Sequence, residues 1–122
     1  MDDSAAPLSS AYPEHSYSVT FSEREVVCEH PDGLVESVTW DDLRAVLLET
    51  TDAGPFAADV FWILVGQRGG CVIPQGARGE RELLERLQSL DGFDNDAVIQ
   101  AMMSSENQRF LCWERPAHPP ML

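Results

Sequence analysis

The sequence predicts an α+β protein: a mostly antiparallel sheet or partial barrel of about six to seven strands, two helices late in the chain and a final strand. Three observations point there. From Tyr17 to Ile73 apolar and polar residues tend to alternate, the two-residue period of a half-buried strand. Leucines spaced three and four apart begin only at Leu83. Turn formers such as Pro31-Asp32-Gly33 and Gln67-Arg68-Gly69-Gly70 divide the strands. The 122 residues suit one domain. A chain of that size buries about two-thirds of its unfolded surface and needs neither metal nor disulfide to fold. The expected layout is a flexible acidic tail at 1–15, a single α+β domain at 16–115 and a Pro-rich tail at 116–122.

Taken in order, Tyr17, Val19 and Phe21 mark the first strand, and Glu25 to His30 the second. Val35 to Trp40 is the third, and Asp41-Asp42-Leu43 a tight turn. Arg44 to Thr51 resumes as a strand with Val46, Leu48 and Thr50 on one side. Asp52-Ala53-Gly54-Pro55 breaks the chain. Val60 to Val65, apolar on both faces, is expected to be the most buried strand, followed by Cys71-Val72-Ile73 up to Pro74. Leu83, Leu84, Leu87 and Leu90 define the first helix, with Glu80 and Glu82 at its positive end and Gly92 in a left-handed cap. Asp94 caps the second, stapled by Phe93 and Val98, and Val98, Ile99, Met102 and Met103 are its expected buried side. Arg109 to Glu114 closes the chain as a strand. The six strands before the helices are similar to a pleckstrin-homology-like barrel closed by a helix; the second helix and terminal strand depart from that pattern.

Charge excludes several functions. Twenty-one acids oppose eight basic residues, all of them Arg, for a net charge of −13. Without lysine there is no Schiff-base amine and no P-loop. Phosphates need clustered cations, so neither nucleic acid nor an anionic membrane is an expected partner. The longest uninterrupted apolar run, Val60 to Val65, is far too short to span a membrane. No basic and apolar leader follows Met1, and three cysteines make no disulfide framework, so the expected compartment is the cytoplasm. The acidity is concentrated: residues 16–59 hold ten acids against Arg24 and Arg44.

Catalytic signatures are absent: no Gly-x-Ser-x-Gly, His-Glu-x-x-His or Gly-x-Gly-x-x-Gly. Cys28 and His30 share a strand face, but nothing in the sequence argues for the third group that would orient the histidine. Cys28, Cys71 and Cys112 are spaced 43 and 41 residues apart, unlike a zinc site, and suit a core. Asp94-Asn95-Asp96 resembles the start of a calcium loop but lacks its later Gly and Glu. No metal and no cofactor is expected.

Two binding surfaces are candidates. Asp41, Asp42, Asp52 and Asp59, with Phe56 as a loop anchor, suit a basic protein partner. Alternatively Arg68, Arg78 and Arg81, set among glycines near the first helix start, suit a small anion, although Glu80 and Glu82 oppose one.

The stretches Val38-Thr39-Trp40-Asp41-Asp42-Leu43, Thr50-Thr51-Asp52-Ala53-Gly54-Pro55, Asp59-Val60-Phe61-Trp62 and Gly92-Phe93-Asp94-Asn95 resemble a group of small uncharacterised bacterial α+β proteins over most of residues 17–115. The resemblance implies a bacterial, cytoplasmic, single-domain protein and carries no catalytic residue. Some small acidic bacterial proteins are immunity proteins for basic toxins, an analogy only. The expectation is therefore a non-enzymatic acidic binding domain, of inhibitor or immunity type, with a homodimer through an unpaired strand edge also open.

Overall fold

The computed structural model describes residues 16–52 and 60–116. Three strands, β1 (Ser18–Phe21), β2 (Glu25–Glu29) and β3 (Val35–Thr39), form an antiparallel meander. Four more, β4 (Leu43–Thr50), β5 (Val60–Gly66), β6 (Gly70–Pro74) and β7 (Gln108–Glu114), form a second sheet in the order β6-β5-β4-β7. Helices α1 (Glu80–Gln88) and α2 (Asn95–Met102) lie between β6 and β7 in sequence. The α+β expectation holds, with two open sheets rather than a barrel. The physical reason lies at β4. It follows β3 through a tight turn but pairs with β5 on one side and β7 on the other. The final strand thus takes the edge that barrel closure would need.

The meander, α1 and α2 all cover one side of the larger sheet. Val19, Val26, Cys28 and Val38 from the meander join Leu48, Trp62, Leu64, Cys71 and Ile73 in one buried cluster. α1 adds Leu83 and Leu87 to it, each worth about 1.5–3 kcal/mol of burial. Trp62 is buried at the centre, and its indole Nε1 donates to Glu80 Oε2 across 2.8 Å. All three cysteines are free and buried.

α1 starts where it does because of Gly79. Its φ of 88° is left-handed, and a Cβ there would strike the Val19 carbonyl. That close approach lets Val19 N donate to Arg78 O at 2.8 Å and Arg78 N to Tyr17 O at 3.0 Å, tying α1 to β1. Asp94 caps α2 as expected, accepting from Ala97 N at 3.1 Å.

One packing expectation fails. α2 buries Ala97 and Ala101, not Ile99, Met102 and Met103, which are exposed; Val98 is half-buried. The helix lies against β7 and β4, where only a methyl fits between backbones. β5 is as heavily buried as expected: Val60, Phe61, Trp62 and Leu64 are buried and Ile63 is half-buried, and only Val65 is exposed.

Candidate functional site

Asp42 was a candidate for partner binding, but its carboxylate has a structural task. Oδ2 accepts from Arg68 N at 2.8 Å in the β5–β6 hairpin. The backbone amide of Arg68 chiefly, helped by those of Gln67 and Gly69 and by the Arg68 charge, holds its carboxyl below the usual range and outweighs an opposing desolvation. Gly69 allows the approach, since a Cβ there would strike the Ser37 carbonyl. A shallow hollow of about 200 Å³ remains, lined by Ser37, Val38, Thr39, Asp42, Arg68 and Gly69. The other two anion candidates lie elsewhere. Arg78 and Arg81 flank the start of α1, whereas Arg68 precedes β6, whose five residues separate them by about 16 Å of strand. All three arginines are exposed.

Asp41 is exposed in the turn before β4 and Asp52 is exposed just beyond its far end, so eight strand residues separate them, about 26 Å. Phe56 and Asp59 lie outside the described residues. The predicted acidic set is therefore distributed over both ends of β4.

The third group that sequence spacing hides beside His30 is Glu36. His30 Nε2 and Glu36 Oε1 lie 2.8 Å apart, and the same oxygen accepts from Val72 N at 2.9 Å. The Tyr17 ring meets the imidazole edge-on, with centroids 5.0 Å apart. Cys28, however, directs its thiol to Val72 O at 3.8 Å. Burial, reinforced by Glu36 and Glu29, pushes that thiol up to about 12. At neutral pH it is a protonated core group, not a nucleophile. Among the described residues, no three His, Cys, Asp or Glu side chains are grouped to hold a metal ion.

The most unusual surface is the outer side of α2. Ile99, Met102 and Met103 are 56%, 40% and 80% exposed. Their spacing of three and four puts them on one helix face. Asp96 opens the helix on the same face, three residues before Ile99, and α2 carries no basic residue in its last turn. Ser104 to Asn107 then brings further acidity. Thr50 Oγ1 donates to Glu106 O at 2.6 Å, and Asp52 N donates to Asn107 Oδ1 at 3.0 Å. The Asp52 end of β4 therefore lies beside the segment that follows Met103. An apolar centre is thus set among Asp52, Asp96 and Glu106, and Gln75 Nε2 contacts Met102 Sδ at 3.3 Å. Residues 87–108 contain four acids and no base around these apolar side chains, a sequence signal that marks the surface in retrospect.

No protein-family model, curated protein or solved structure matches the chain. No helix among the described residues is long and apolar enough to cross a membrane. The functional reading therefore rests on surface chemistry.

Proposed function

We propose that this protein is a non-enzymatic acidic binding domain for a basic protein, of inhibitor or immunity type, and that the outer side of α2 is its contact surface. The observation that carries the reading is the exposure of Ile99, Met102 and Met103 on a helix with Asp96 in its first turn and no basic residue in its last. Exposed methionines adapt to a partner's shape, and surrounding carboxylates draw in and orient a basic one. Asp52, one of the sequence candidates, falls within this surface. Asp41 stands at the far end of β4 and serves in long-range attraction. The high pKa of Cys28 supports a non-enzymatic reading, and three free buried thiols support a cytoplasmic setting.

The test is capture of a basic partner by the tagged protein, followed by titration with salt. Binding is expected to weaken as salt screens the attraction, chiefly through slower association. Met102→Gln with Met103→Gln is expected to speed dissociation. A partner indifferent to both salt and these substitutions overturns the reading. The hollow beside Arg68 favours a second reading, a small-anion module. A rise in melting temperature with phosphate that disappears in Arg68→Ala would support it.

A further inference from the structure

The side of the larger sheet that faces away from the core has a composition unlike the rest of the protein. Its central row runs across all four strands as Val72, Ile63, Leu47 and Leu111, neighbours by register. Leu111 is 48% exposed, and Val65, one row along, is 39% exposed; Phe61, in the row beside Glu49, is by contrast only 2% exposed, so the open part of the face is the Leu47 row and the Val65 end. An antiparallel sheet with one solvated face ordinarily places polar residues there.

The charges on this face balance. The register shift between Leu43 and Ala45 makes Arg44 the extra residue of a bulge, sharing the outer side with Ala45. The shift in β7 likewise puts both Cys112 and Trp113 inside and returns Glu114 to the outside, opposite Ala45. Arg44 and Glu114 thus lie at one end of the apolar row. Glu49 and Arg109, 2.8 Å apart, lie at the other. Two positive and two negative groups leave no net charge here, on a chain of −13.

We infer that this face is a homodimer interface. A two-fold axis in the plane between two copies, running across the strands at the Leu47 row, returns that row onto itself. It also sets Glu49 of β4 over Arg44 of the second copy, and Arg109 of β7 over Glu114. The face is self-complementary in both apolar and charged parts, as an isologous contact requires. A basic partner finds nothing to attract it here, so the occupant is a second copy. Four strands at about 4.8 Å spacing and about 20 Å of length give at most roughly 400 Å² of footprint per copy, no more than half the usual ~800 Å². The dimer is accordingly weak and concentration-dependent. It uses a face, not the strand edge that the sequence leaves open.

Sedimentation velocity of the full chain over a range of concentrations tests this. Dimer is expected to increase with concentration and to persist or strengthen in high salt, which screens repulsion between two acidic chains. The heterologous complex proposed above weakens in high salt, so the two readings fail separately. Leu111→Glu is expected to abolish the dimer, with an unchanged circular dichroism spectrum showing that the fold survives. Glu114→Arg is expected to weaken it, and adding Arg109→Glu in the same chain to restore it. A protein monomeric at every concentration and salt overturns the inference. So does a dimer that Leu111→Glu leaves intact.

Discussion

α1 turns Leu83 and Leu87 into the core, whereas α2 turns in Ala97 and Ala101 and leaves Ile99, Met102 and Met103 in solvent. The two helices are of nearly equal length and both carry enough apolar residues for an inward stripe. What separates them is the depth of the gap each one fills. α1 lies beside β1, where Gly79 permits close entry and the leucines reach a broad cluster around Trp62. α2 lies directly on β7, with Asp94 N donating to Cys112 O at 2.7 Å. At that separation a long side chain has nowhere to go. Burial is decided by available space as much as by hydrophobicity, and side chains excluded from a core become binding surface.

The comparison can be broken in several ways. The largest effect is expected at Leu87, which is fully buried: Leu87→Ala is expected to cost about 2–5 kcal/mol in chemical denaturation. Ala101→Leu is the converse test. If α2 sits as close as described, enlargement costs about 1–3 kcal/mol; a neutral result would show room beneath it.

Thiol reactivity sharpens the contrast further. Burial raises Cys28 and Cys71 to about 12 but Cys112, under the α2 side, only to about 11. At a fixed pH below both values Cys112 is expected to alkylate faster than Cys28 and Cys71, read by mass spectrometry of labelled peptides. These raised values also set a pH dependence. The native state favours the protonated thiols, so stability is whole below the unfolded value of 9.0 and declines as pH climbs through 11 to 12. Asp94→Ala removes the α2 cap and is expected to cost about 1 kcal/mol. Met103→Gln is the smallest, within about 0.5 kcal/mol, while weakening partner capture.

Most elements were legible in the sequence because turn residues bound them. Pro31-Asp32-Gly33 separates β2 from β3 and Asp94 caps α2, whereas Gly92, left-handed at φ 88°, lies three residues beyond Ser89, the right-handed residue that ends α1 in place of the expected glycine cap. Layering was less legible. Val60 to Val65 reads as apolar throughout, and nothing local reveals that on the outward side Phe61 is covered while Val65 is exposed. Periodicity weighs Ala97 and Met102 alike, so the inward face of α2 cannot be chosen without the spacing to β7. The site suffered for a related reason. Asp42 looks like any surface acid until the hairpin at Arg68 is folded onto it, and Glu36 reaches His30 only once β2 and β3 pair.

Glu36 has one more consequence. An edge strand presents unpaired amides that can recruit a strand from another molecule, the first step towards a fibril. In β6 the Val72 amide is already bonded to the Glu36 carboxylate, and Arg78 and Asp94 make equivalent backbone bonds to Val19 and Cys112. A small protein built mostly of short strands is thereby protected from templated growth at these positions. Removing the Glu36 carboxylate would uncover β6 and leave a chain more prone to cross-β assembly.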